Sequence, residues 1–219
     1  MGMTATPLRP LTKIRHRLAG EVAGLCPLDD AARRLLDPES SPADYLAALM
    51  KAGQRVDAVR VLAHALPPRE AVWWACVCVK AALPPDAPAP VLSALEGARA
   101  WVFQPTEANR RAAYAGAQAT DFQHAASWAA VGAFWSGGSM APSGAPDVPA
   151  PDGLAGKAVA AAVILAAVAR QPERAEQRLA VFLDGGLDVA AGGNGRLAEG
   201  KDGGKDGGGG GDSGKGGVR

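Results

Sequence analysis

A chain of 219 residues, 48% hydrophobic and 21% charged, is long enough to bury one sizeable core, and a formal net charge of +1 excludes a general electrostatic drive toward nucleic acid or acidic lipid. Three cysteines are too few for a disulfide framework, and no segment alternates apolar with polar residues. Alanine and leucine dominate and aromatics make up only 5%, so the composition favours helix over sheet.

Residues 1–28 contain Pro7, Pro10 and Pro27 and a basic cluster of Arg9, Lys13, Arg15 and Arg17 around His16, which reads as an irregular, solvated arm. The cluster is not followed by a continuous apolar run, so no secretory signal is expected and the chain is assigned to the cytoplasm. The packed domain is expected over 29–191. A short helix at 29–36 is stopped by Pro38. Ser41 then offers an N-cap with Pro42 at the first helical position, and Tyr45, Leu46, Leu49 and Met50 form one face up to Gly53. Its partner, 54–65, turns Val56, Val59, Leu62 and Ala63 inward and Arg55, Asp57, Arg60 and His64 outward. This hairpin is tetratricopeptide-like in part: Gly53, Ala58, Leu62, Ala65 and Leu66 fall at the spacings of that repeat's second half, without its Trp-x-x-Leu-Gly opening.

The stretch around which the rest is organised is Leu66 to Leu83. Residues 71–79 are apolar without interruption, between Pro67-Pro68 and Pro84-Pro85. A helix apolar around its circumference needs neighbours on several sides, so it is expected at the centre of the domain. Val91, Leu92, Leu95, Ala98 and Val102 mark the next helix, which ends near Gln104-Pro105. Thr106 and Glu107 open another that runs to about Thr120, and Asp121 is the expected N-cap of a helix carrying the stripe His124, Trp128, Val131, Trp135. A loop rich in proline, glycine and serine at 137–153 has no periodicity and is either mobile or a contact loop. Two helices, 154–169 and 173–183, close the domain, with Gly185-Gly186 as the expected stop. The glycine-rich remainder, 192–219, cannot bury enough surface to fold and is expected to be disordered.

The expected fold is therefore all-α, seven to nine helices in packed antiparallel hairpins around a central buried helix. The longest aliphatic window, 158–169, falls short of the roughly 20 residues of a membrane span.

No stretch carries a recognisable reaction. Gly209, Gly214 and Lys215 imitate a phosphate loop, but Gly216 stands where the magnesium-binding hydroxyl belongs and no strand or helix flanks the motif. His16, His64 and His124 lie far apart and in no metal-ligand spacing, and Cys76 and Cys78, two apart on a helix, point about 200° from each other. No catalytic residue, cofactor or metal is therefore expected. Glu70, in the first turn of the central helix, is favoured by the helix dipole and is the candidate for a structural ion pair with a neighbouring arginine. Tryptophan at helical spacing usually fills core volume, yet it is also enriched where proteins meet, so Trp73, Trp74 and Trp101, with Arg69, are the candidate partner surface.

The segment Leu-Pro-Pro-Arg-Glu-Ala-Val-Trp-Trp-Ala-Cys, 66–76, together with the hairpin before it, resembles a family of uncharacterised bacterial proteins of unknown function, over about 45–183. The resemblance implies an association with secretion-system components, type VI in particular, and no catalytic residue. The expected function is a non-catalytic interaction or accessory protein with a protein partner and no nucleic acid. The alternatives are an enzyme whose site forms only in three dimensions, and a structural subunit of a homo-oligomer.

Overall fold

A computed structural model describes residues 10–197. Among them are ten α-helices and no strand: α1 Ala19–Ala23, α2 Asp30–Arg34, α3 Pro42–Lys51, α4 Arg55–Ala65, α5 Pro68–Ala82, α6 Ala89–Phe103, α7 Glu107–Gln118, α8 Ala125–Trp135, α9 Leu154–Val168 and α10 Ala175–Ala190. A 3-10 turn, Pro172–Arg174, links the last two. The helix beyond the expected number is α1, five residues inside the segment read as an irregular arm; it forms because Ala19, Val22 and Ala23 are buried against the domain.

Local chemistry fixes most boundaries. Ser41 accepts the Asp44 amide at 3.1 Å with Pro42 in the first turn, and Thr106 accepts the Asn109 amide at 3.2 Å. Asp121 does not cap α8: it and Phe122 take left-handed φ values of 49° and 57°, and the helix begins after His124.

The central position of α5 follows from its neighbours, since it touches α4, α6, α8, α9 and α10. Along 71–79 every residue is buried except Trp73 and Val77, which open one stripe of the helix outward. Trp74 is fully buried and its Nε1 donates to the Phe182 carbonyl at 2.7 Å. The indole needs room, and α10 supplies it: a Cβ on Gly186 would fall 2.7 Å from Trp74 Cε2. Gly185-Gly186 is therefore a notch inside α10 rather than its end, and the helix continues to Ala190 because burial of Leu187 and Val189 outweighs the weak helix propensity of glycine.

Both ends of the described chain are tied down. Residues 10–16 form a strap in which the Lys13 amide donates to the Ala190 carbonyl at 2.8 Å and the Arg15 amide to the Ala65 carbonyl at 3.1 Å, satisfying carbonyls that α10 and α4 leave free at their C-termini. At the other end Trp73 Nε1 donates to the Asn194 carbonyl at 2.9 Å and the Gly195 amide to Asp188 at 2.9 Å, so 192–197 fold back instead of opening the expected tail. The rest of that tail, with the phosphate-loop imitation, and the first nine residues lie outside the described residues.

The 137–153 loop is pinned rather than loose. Buried Arg110 donates to the Phe134 carbonyl at 2.6 Å and the Ser139 carbonyl at 2.7 Å, while holding Glu107 through two bonds of 2.6 and 2.8 Å. Arg111 reaches the Ala141 carbonyl at 3.0 Å, and the loop closes on itself through the Met140 amide and the Val148 carbonyl at 2.7 Å. Two arginine forks thus take up the Ser139 and Ala141 carbonyls of a segment whose own regular structure is an isolated antiparallel bridge between Ser139 and Pro149.

Candidate functional site

Two concavities hold the polar groups that bear on function. The larger, of about 510 Å³, lies where the strap and α1 cover the junction of α4, α5 and α9. Arg15 and His16 come from the strap, Glu21 and Leu25 from α1 and the turn behind it, His64 from α4, and Asp152, Gly153 and Gly156 from the start of α9. His64 was expected on the solvated face of α4, yet only 6% of it is exposed, because the N-terminal segment packs over that face. The same cover buries Asp57, which accepts from Arg60 at 2.9 Å and from the Asp29 amide at 3.3 Å.

His64 Nδ1 lies 2.7 Å from the Arg60 carbonyl and must donate to it, so a neutral ring carries its lone pair on Nε2. That atom is buried without a hydrogen-bond partner. The ring lies on the first turn of α9, where only glycine fits: a Cβ on Gly156 would fall 2.6 Å from the imidazole. Burial holds the His64 pKa below the usual histidine value; the carbonyls of Arg60 and Gly153 pull it up, and Lys157 and His16 push it further down. Glu21 is occupied, since its Oε2 accepts the amides of Arg17 at 3.0 Å and Leu18 at 3.3 Å and stands 3.8 Å from His16 Nδ1.

The smaller concavity, about 200 Å³, is bounded by Lys13, Arg69, Glu70, Trp73, Val102 and the Gly192-Gly193 turn. Arg69 is exposed and anchored by its Nε on the Val102 carbonyl at 2.6 Å. Glu70 pairs with Lys13 of the strap at 3.5 Å, a lysine where an arginine was expected. Half-buried Trp73 meets Phe103 edge-on, ring centroids 5.8 Å apart, and Phe103 is 61% exposed. Of the candidate partner surface the structure brings Trp73 and Arg69 together and withdraws the other two: Trp74 and Trp101 (6% exposed) are core residues, because small residues on the neighbouring helices leave space that only a large ring fills. Phe103 was missed because it lies off the apolar stripe of α6; an aromatic outside its helix's own stripe was the available signal.

The cysteines are inert volume. Burial pushes the Cys26 and Cys76 thiols up to about 12 and the Cys78 thiol well above its usual value. Among the described residues no group of three or more His, Cys, Asp or Glu is placed to hold a metal ion, and no single helix is long and apolar enough to cross a membrane.

The fold and these surfaces define a class: an all-helical domain with a central helix, a mixed-charge cavity under its N-terminal segment and an aromatic pair of half-buried Trp73 and exposed Phe103. The chain belongs to the family of unknown function DUF6931, whose match runs over residues 45–190, from within α3 to the end of α10. The strap and α1, which cover the cavity, and α2 therefore stand outside the matched region. No curated protein and no solved structure matches the chain.

Proposed function

We propose that this chain is a non-catalytic interaction protein that docks a protein partner over Trp73, Phe103 and Arg69. The observation that carries this reading is Phe103, 61% exposed and braced edge-on by Trp73. A large ring left in water at a helix end gains little for the isolated domain, whereas an aromatic pair flanked by an arginine is the residue set on which binding energy concentrates at interfaces. The resemblance to proteins encoded beside secretion-system components makes a component of such an apparatus, in a bacterial cytoplasm, the kind of partner to seek.

A catalyst is the second reading, favoured by the ionisable groups of the larger cavity. Against it, Glu21 is taken up by two backbone amides, and His64 Nε2, the ring atom left to accept a proton once Nδ1 donates to the Arg60 carbonyl, is buried out of a substrate's reach. The deciding experiment captures partners from the protein's own cell with the tagged full chain and with Phe103→Asp, read by mass spectrometry. A partner retained by the wild type and lost by the variant supports docking. Equal recovery by both, or no partner together with turnover of a small molecule, overturns it.

A further inference from the structure

We propose, resting on the docking reading above, that the partner meets Trp73 and Phe103 with an acidic segment, apolar residues flanked by carboxylates, laid along the outward stripe of α5 from Arg69 to Lys80. Arg69, Trp73, Val77 and Lys80 follow at steps of four, four and three, which puts them on one side of the helix within about 80° of one another. Trp73 and Val77 are half-buried, while Arg69 and Lys80 are exposed and stand roughly 16 Å apart along the helix axis. Phe103, at the end of α6, widens the middle of the stripe by standing against Trp73 with ring centroids 5.8 Å apart. The face is therefore apolar at its centre and positive at both ends.

Neither end is neutralised from within the described residues. Arg69 spends Nε on the Val102 carbonyl at 2.6 Å, and no acceptor meets its two Nη atoms. Glu70, the carboxylate next to it in sequence, pairs with Lys13 instead, at 3.5 Å. On α6, Glu96 is taken by Arg99 at 2.9 Å, and Asp188, beside Gly193, accepts the Gly195 amide at 2.9 Å. Lys80 has no ion pair. The surplus charge of the face is positive, so a negative partner complements it. The bond at Nε also holds the Arg69 guanidinium in one plane, with its Nη pair set for both oxygens of a carboxylate and little side-chain freedom left to lose on binding.

The shape of the face selects a protein segment over the other anionic surfaces. Beside Trp73 lies the concavity of about 200 Å³, with Val102 and Val189 in its wall, and a recess of this kind receives a side chain projected from a partner. A bilayer offers no such projection and is held by clusters of about four to eight basic residues, where two unpaired cations stand here. Nucleic acid is disfavoured for the same reason, since its affinity is built from many neutralised phosphates.

The test selects random peptides displayed on phage against the full chain, with the Phe103→Asp chain used to remove those that bind elsewhere. The most enriched peptide is then synthesised with a fluorescent label and titrated by anisotropy. Enriched sequences are expected to carry Asp or Glu on both sides of Leu, Phe, Tyr or Trp. Affinity should fall about tenfold in Arg69→Gln, through the lost pair of charge-assisted hydrogen bonds, and about threefold in Lys80→Gln. Lys80 is exposed and makes no bond, so its replacement leaves the fold intact even if Arg69→Gln loosens the end of α6. Basic or uncharged sequences, or an affinity unchanged in both variants, overturn the acidic segment and leave the docking face standing. Saturable binding of vesicles of equal phosphatidylcholine and phosphatidylserine, weakened by Lys80→Gln, assigns the face to a membrane and overturns it as well. A selection that yields no peptide dependent on Phe103 also overturns it, whereas the docking reading is decided by the cellular capture, so the two fail separately.

Discussion

Replacing Arg110 by alanine tests the account of the 137–153 loop. The substitution leaves the Phe134 carbonyl without its donor and the Ser139 carbonyl with only a 3.5 Å contact from Arg111, removes a guanidinium lying 4.5 Å from the Phe134 ring centroid, and leaves Glu107 to Arg111 alone. Each carbonyl bond contributes about 1 kcal/mol and the cation-π contact about 0.5–1 kcal/mol. The ion pair adds less than about 1 kcal/mol, because the Glu107 side chain is 55% exposed and solvent screens it. A loss of about 3 kcal/mol is expected, a fall in Tm of roughly 5–10 °C for a domain of this size. Arg110→Lys should recover little of it, since an ammonium cannot reproduce the fork that reaches Glu107, Phe134 and Ser139 together. Urea unfolding gives the stability, and hydrogen exchange at the Met140 and Val148 amides reports the loop, because both amides are bonded within it. An unchanged unfolding midpoint in Arg110→Ala, or full protection of those two amides, would refute the clamp.

The buried thiols predict that Cys26, Cys76 and Cys78 stay unreactive toward an aromatic disulfide reagent in the folded protein at neutral pH and that all three react in denaturant; a fast-reacting thiol in the native state contradicts their burial. His64 makes stability pH-dependent: with its folded pKa below the unfolded value of 6.5, the unfolded chain binds the proton first, so stability is complete above about pH 6.5 and declines below it, and His64→Gln should flatten that part of a urea-midpoint profile. Glu107 has the carboxylate sign: Arg110 and Arg111 hold its pKa at about 2, so its contribution is present above the usual 4.5 and is lost as the pH falls toward 2, which a comparison of Glu107→Gln with wild type by acid titration would expose. Trp74→Phe should cost about 1–3 kcal/mol in urea unfolding, through the unpaired Phe182 carbonyl and the vacated volume beside Gly186, whereas Phe103→Ala should cost less than about 1 kcal/mol because most of that ring is already in water.

The helices that could be read from sequence are those whose signals are local. Ser41-Pro42, Thr106 and the proline pairs around α5 set boundaries within a few residues of the groups they act on, and the structure places helix starts and stops beside them. The central place of α5 was legible because an uninterrupted apolar run has only one stable environment in water. Gly185-Gly186 shows where local reasoning ends. A glycine pair near a helix end signals a stop when nothing else acts on it, and here Trp74, more than a hundred residues earlier, presses against the site and makes glycine the residue that fits.

The polar face of α4 carries the same lesson into the candidate site. Periodicity put Asp57, Arg60 and His64 on the outward face, and they do share one face, but the strap, α1 and α2 lie across it. Amphipathicity tells which residues lie opposite a helix's apolar stripe and is silent on whether a second layer covers them. That layer is held by hydrogen bonds from the Lys13 and Arg15 amides to the ends of α10 and α4, contacts that no residue type in 10–16 announces. His64 thereby passes from a solvated helix residue to a buried one with an unpartnered nitrogen, and the cavity beside it comes into being. Since the family match begins at residue 45, the domain common to the family supplies His64 and the start of α9, while Arg15, His16 and Glu21 come from outside it. The roof of this cavity is thus built by residues before the matched region and its floor by residues within it, whereas the aromatic pair on α5 and α6 lies wholly inside the match.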